Sequence, residues 1–249
     1  MMSSPIFWVA GPYVVTLAFI IGMVWRYKYD RYGWTSRSSQ LYENRLLSIA
    51  SPMFHFGILL ALGGHIGGLL IPESFTTRIG ISESMYHVFA VGLGSLAGVF
   101  VVAGLVMLVY RRRRDFRVFL VTTRMDKLMY LVLAAVIGLG VWNTVAVQMF
   151  GIGGYPGGYN YRQSVAVWFR SVAYFSPQPE LMAHAPLSFQ LHTMVAMLLI
   201  AIVPVTRLVH VFSVPVGYLS RPYLVYRSRD PKSAAGGKPQ RGWEPIEHR

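Results

Sequence analysis

The stretch from Phe189 to Phe212, FQLHTMVAMLLIAIVPVTRLVHVF, is an apolar run long enough to cross a bilayer, and it carries a histidine near each end. His192 and His210 are 18 residues apart. In a straight helix at ~100° per residue that is five whole turns, so both imidazoles leave one face, ~27 Å apart along the axis. An ionisable side chain inside a membrane span is expensive and marks a functional site by default. Two on one stripe require partners on another helix.

The whole chain suits this setting. Of its 249 residues 54% are hydrophobic and only 13% charged, where a soluble domain carries about 25% charged residues. Hydropathy marks candidate spans at Pro5–Trp25, Leu47–Ile71, Tyr86–Tyr110, Asp126–Phe150 and Leu187–Phe212, each near or above the ~20 residues that ~30 Å of hydrocarbon demands. The expected fold is all-α, with five transmembrane helices. The first span has no convincing small-residue cleavage site before its charged flank and is read as retained. Residues 1–229 form the expected membrane domain, and 230–249 a polar cytoplasmic tail low in apolar residues.

The net charge of +13 is distributed in a way that argues against nucleic acid. The first connection, the third connection with the start of span 4, and the segment from Arg207 onward together hold 20 of the 23 Lys and Arg residues. The two remaining connections hold only Arg78, Arg162 and Arg170. The positive-inside rule places the N-terminus outside, the C-terminus in the cytoplasm, and the chain in the cell membrane. The absence of cysteine excludes disulfides, iron–sulfur ligation by this chain and covalent CxxCH haem attachment.

Span 2, SPMFHFGILLALGGHIGGLLIP, holds the facing pair, His55 and His65. Ten residues leave their imidazoles ~80° apart around the axis and ~15 Å apart along it. With span 2 running outward and span 5 inward, depth pairs His65 with His192 on the outer level and His55 with His210 on the inner one. The axial separations differ, and a bend at Pro204 is expected to absorb the difference. Gly57, Gly63, Gly64, Gly67 and Gly68 suit either close helix packing or a flat ligand against the helix. Zinc wants four ligands, and no carboxylate or thiolate stands at either level. A haem iron wants two axial ligands, and its porphyrin is itself an apolar slab. Two non-covalent b haems, each with both axial positions filled, would carry electrons across the membrane. Arg207, one turn before His210, is expected at an inner haem propionate. The rival from another class is a haemless proton-linked membrane protein that uses the histidines as relays.

Other segments read more plainly. Trp8 and Trp25 are expected at the two membrane interfaces. Gly92-x-Gly94-x-x-Ala97 imitates a dinucleotide fingerprint, but no strand precedes it; Gly94 and Gly98 read better as helix packing. Span 4 offers Asn143, Thr144 and Gln148 without an assignable role. The middle of the fourth connection, VAVWFRSVAYF, is expected along the outer surface.

The chain resembles the gamma, or cytochrome b, subunit of membrane-bound respiratory nitrate reductase. The resemblance runs to about Arg229 and rests on RYKYDRYGWTSRSSQ, SPMFHFGILLALGGH and TRLVHVFSVPVGYLSRPY, with the four histidines in the family's order. It implies His65 and His192 on the outer b haem and His55 and His210 on the inner. It further implies quinol (menaquinol or ubiquinol) oxidised near the outer haem, and electrons passing to a cytoplasmic iron–sulfur beta subunit and a molybdenum-containing alpha subunit that reduces nitrate. Some members carry a lysine near the quinol pocket at the start of the third span; here Met85 stands in its place. The expected quinol pocket is bounded by Gly64, Gly68 and His87. A related di-haem anchor of a heterodisulfide-reductase-type complex is the nearest alternative.

Overall fold

The computed structural model describes residues 5–213. They fold into helices only, with no strand among the described residues: α1 (Pro5–Tyr29), α2 (Leu47–His65), α3 (Glu73–Arg78), α4 (Glu83–Arg114), α5 (Phe116–Leu120), α6 (Arg124–Trp142), α7 (Val165–Ala173), α8 (Pro179–Ala183) and α9 (Leu187–Ile202). Five segments are long and apolar enough to cross a membrane: Pro5–Tyr29, Leu47–Leu70, Glu83–Arg114, Arg124–Met149 and Leu187–Val205. The chain is a multi-pass membrane protein. The polar tail expected at 230–249 lies outside the described residues.

Local chemistry sets the helix boundaries. Ser82 caps α4 by accepting from the Met85 N–H, and Thr123 and Asp126 form a reciprocal capping box that starts α6. Asp115 accepts from the N–H groups of Arg117 and Val118 and so begins α5. Both α2 and α6 end in wide π turns, Ile66–Leu70 and Asn143–Met149. Such turns are rare and concentrate at functional sites; the first begins immediately after His65.

The spans pack through some of the glycines the sequence offered, and through Gly104 besides. A Cβ on Gly57 would lie 2.8 Å from the Val101 backbone nitrogen, and one on Gly104 would lie 2.7 Å from that of Phe54. Here α2 and α4 touch backbone to backbone. Gly94 and Gly98 do pack as expected, against Thr144 and Val141 of the fourth span. Gly63, Gly64 and Gly67, by contrast, face open space.

Two expectations need correction. Trp8 is not interfacial: it is fully buried beneath α7, where the Trp168 indole N–H donates to its carbonyl at 3.0 Å and the two rings meet edge to face. The connection carrying α7 has an inward apolar face, Val165, Ala166 and Trp168, that closes the N-terminal end of α1. The second correction concerns span 5. It is not one helix through His210: α9 stops at Ile202, Val203–Val205 forms a 3-10 turn, Thr206 is extended, and Arg207–Ser213 is a second 3-10 segment. Pro204 has no N–H to continue the α ladder. The straight-helix estimate of His192 to His210 therefore does not apply.

Candidate cofactor site

The four histidines meet in two pairs. The rings of His65 and His192 have centroids 6.0 Å apart, and those of His55 and His210 are 6.2 Å apart. These are the pairs that depth in the membrane demanded. Each ring is held in the same way. The Nδ1–H of His55 donates to the Ser51 carbonyl at 2.7 Å, and that of His65 to Ala61 at 2.7 Å. His192 donates to Val136 of α6 at 3.0 Å, and His210 to Arg207 at 2.6 Å. A carbonyl can only accept, so Nδ1 carries the proton and Nε2 keeps its lone pair. That is the tautomer and orientation a metal ligand needs. The bond alone does not identify a ligand, because His184 makes the same bond to Glu180; the facing pairs do.

The pairs fit a haem better than a metal ion held by protein alone. Two imidazoles that reach one ion through Nε2 at ~2 Å have centroids about 6 Å apart. Among the described residues, no group of three or more His, Cys, Asp or Glu side chains is placed to hold a metal. A ligand that brings its own equatorial donors needs only the two axial nitrogens. Gly64, the residue before His65, adds no bulk there: a Cβ on it would meet no atom within 4 Å. Gly140, which the sequence did not single out, lets the His192 ring approach α6, with Cε1 only 3.1 Å from where a Cβ would stand.

The remaining sequence-selected residues are placed differently from expectation. Arg207 is committed elsewhere: Nε and Nη2 donate to the two carboxylate oxygens of Asp126 at 2.8 and 2.6 Å, and Nη1 to the carbonyls of Ser36 and Arg37. A buried arginine beside a buried aspartate satisfies its charge there first. Gly68 is buried and offers no room for a ring, because the Tyr161 hydroxyl would lie 2.7 Å from its Cβ and the Tyr86 hydroxyl 3.2 Å. His87 follows Tyr86 ~100° further around the helix and packs against Gly158, whose missing side chain also admits Gln148.

The layer beside the His65–His192 pair is built on a cation that the sequence left in a loop. Arg162 is 2% exposed; it donates to Glu83 at 2.8 Å and to the Thr76 hydroxyl at 2.9 Å, and lies 3.8 Å over the Tyr86 ring. The Tyr86 and Tyr161 hydroxyls are 3.2 Å apart. Burial, then the hydrogen bond to Tyr86, pushes the Tyr161 phenol above its ordinary range, so it stays protonated.

On the opposite end, three buried arginines bind the 30–46 loop to the spans. Arg26 pairs with Asp30 and donates to the Pro204 carbonyl at 2.7 Å; Arg207 reaches Ser36 and Arg37; Arg111 binds Glu43 and the Ser39 hydroxyl and carbonyl. Burial pushes the Glu43 carboxyl up, but the Leu46 N–H and the Arg111 guanidinium outweigh it and hold it below the usual carboxylate range. A lowered carboxylate stabilises above its unfolded pKa and stops doing so as pH falls through the folded one. The loop should therefore resist proteolysis down through the ordinary titration range of a glutamate and open only below it, and Glu43→Gln should expose it at neutral pH.

The sequence profile of the nitrate reductase gamma subunit family matches residues 4–229. The chain is also 42% identical over 228 residues to the nitrate reductase gamma chain of Bacillus subtilis, covering 92% of this chain and 100% of that one. The chain belongs to the nitrate reductase gamma subunit family. Another gamma chain, that of respiratory nitrate reductase 2 of Escherichia coli, is 32% identical over 219 residues, covering 88% of this chain and 94% of its own. The nitrate reductase-like protein NarX of Mycobacterium tuberculosis is 52% identical over 242 residues. There the match covers 97% of this chain but 36% of the relative, so the chain spans about a third of NarX. Membership of the gamma subunit family agrees with the five helices long and apolar enough to span a membrane.

Proposed function

We propose that this chain is the quinol-oxidising, two-haem membrane anchor of a nitrate reductase. It passes electrons inward to an iron–sulfur subunit and, through that subunit, to a molybdenum-containing one that reduces nitrate. The observation that carries this reading is a pair of facing imidazoles at each of two depths, with every Nδ1–H held by a carbonyl. A b haem bound in each pair would supply one-electron carrier chemistry across the bilayer. The chain's own residues do the rest. Ser51, Ala61, Val136 and Arg207 lend the carbonyls that fix the imidazoles, and Gly64, the residue before His65, adds no side chain there.

Charge supports the orientation: 20 of 23 cations flank one side, which the positive-inside rule makes cytoplasmic, with the N-terminus outside. The iron–sulfur partner then meets the 30–46 loop, where Tyr32 and Leu41 are fully exposed while three arginines hold the backbone rigid. A cross-linking map of the assembled complex should place it there; cross-links concentrated on residues 151–186 would contradict the assignment.

Quinol binds on the outer level, against Gly64 and the rim of Gly68. Its oxidation releases protons, and the polar groups bordering that rim are the Tyr86–Tyr161 hydroxyl pair, with His87 ~100° further around α4 and Gln148 of the fourth span meeting it at Gly158. In membranes holding the whole complex, Tyr86→Phe and Tyr161→Phe should each slow quinol-driven haem reduction about tenfold, the worth of one hydrogen bond of ~1.4 kcal/mol. Reduction by an artificial cytoplasmic-side dye should not change. If only His87→Ala slows the quinol reaction, the head group lies on the Gln148 side instead.

A further inference from the structure

The four imidazoles are not supported equally. His55 and His65 donate to carbonyls four residues earlier on their own helix, α2. A continuous α-helix fixes those oxygens. His192 donates to Val136 in α6, another continuous helix. His210 alone donates to a carbonyl in a 3-10 segment, three residues back at Arg207, just after the chain has bent at Pro204 and Thr206. A 3-10 run of this length has poorer hydrogen bonds and is uncommon on its own. Its rigidity has to come from elsewhere.

It comes from the side chain of that same residue. Arg207 makes a two-pronged bond to Asp126, both side chains buried to nine-tenths or more, at 2.8 and 2.6 Å. Asp126 is itself immobilised: its carboxylate accepts from the Thr123 N–H at 2.9 Å and its own N–H donates to the Thr123 hydroxyl at 3.1 Å, in the capping box that starts α6. A planar fork on a carboxylate fixes orientation as well as charge. The line Thr123, Asp126, Arg207, His210 thus ties the inner imidazole to the start of α6.

We infer that Asp126 is a positioning residue for the inner axial ligand: it holds Arg207, whose carbonyl sets the ring of His210. This rests on the two-haem reading above. The sequence left α6 without a role, and the pair gives it two, with Val136 on the outer level and Asp126 on the inner one.

The test is Asp126→Asn in the assembled complex in membranes, read by haem rather than by turnover. Asparagine keeps the cap but lacks the charge and the second acceptor oxygen. The low-spin ferric signal of the inner haem should shift and broaden, and the reduced inner haem should begin to bind carbon monoxide as His210 lets go. The outer haem, in the same molecules, should do neither, and it counts the folded chain whatever the yield. Asp126→Glu, which keeps the carboxylate, should recover most of the wild-type signal. Asp115→Asn, which removes another acidic helix cap, should leave both haems unchanged. Equal damage to both haems would make Asp126 merely structural, and an unchanged inner haem would remove the tie; either overturns the inference. If His210→Ala keeps both haems, the two-haem reading has failed instead.

Discussion

Replacing either His65 or His192 by alanine should remove one and the same b haem, and replacing either His55 or His210 should remove the other. The reason is geometric. The rings pair across two spans at 6.0 and 6.2 Å, so each variant deletes one of the two axial nitrogens at a single depth. An iron left with one imidazole has an open axial position and loses half of its protein bonds. Spectra of membranes from the four single variants should sort into two classes, each missing a complete set of b-type bands rather than showing a graded decline. If His55→Ala and His65→Ala removed the same species, ligation would run along α2 and not between the spans.

A second large effect is expected far from any ligand. Gly104→Ala places a Cβ 2.7 Å from the Phe54 nitrogen and 2.8 Å from its Cα. No rotamer change relieves a clash with backbone, so α2 and α4 must separate. Overpacking of this kind costs roughly 1–3 kcal/mol. Phe54 precedes His55, so the inner haem should be lost at lower temperature than the outer one, besides a fall in the melting temperature in detergent. Gly92→Ala is the control. A Cβ there meets nothing within 4 Å, and the substitution should be neutral or gain up to ~1 kcal/mol of helix propensity.

The spans and the histidine pairs were legible because both follow from one-dimensional regularities. Hydropathy marks a span whatever it packs against, and the opposite directions of the second and fifth spans bring His65 level with His192 and His55 level with His210. The corrections arise where neighbours decide. Gly57 and Gly68 lie in the same run as Gly63, Gly64 and Gly67, but the first two are filled by Val101 and Tyr161 and the others face open space. Arg207 reads as a propionate partner until Asp126, 81 residues earlier, takes its guanidinium. The signal for Asp126 was present as Thr123-x-x-Asp126, a capping box, yet nothing local says the same carboxylate also accepts from an arginine. Arg162 looked like one of three stray cations and is a buried hub, since its partners Glu83 and Thr76 stand on the far side of two whole spans in the sequence. Pro204 announced a bend, but not that the helix would give way to 3-10 geometry as far as Ser213.

The central claim is that this chain holds two haems, each between imidazoles of α2 and of the fifth span. Haem extraction as the pyridine complex, set against the protein concentration of the purified chain and paired with a redox titration of the b-type absorption, tests it most directly. Two haems per chain are expected, with two titrating components and no carbon monoxide binding to either. A single haem per chain, or a reduced protein with no b-type bands, would contradict it.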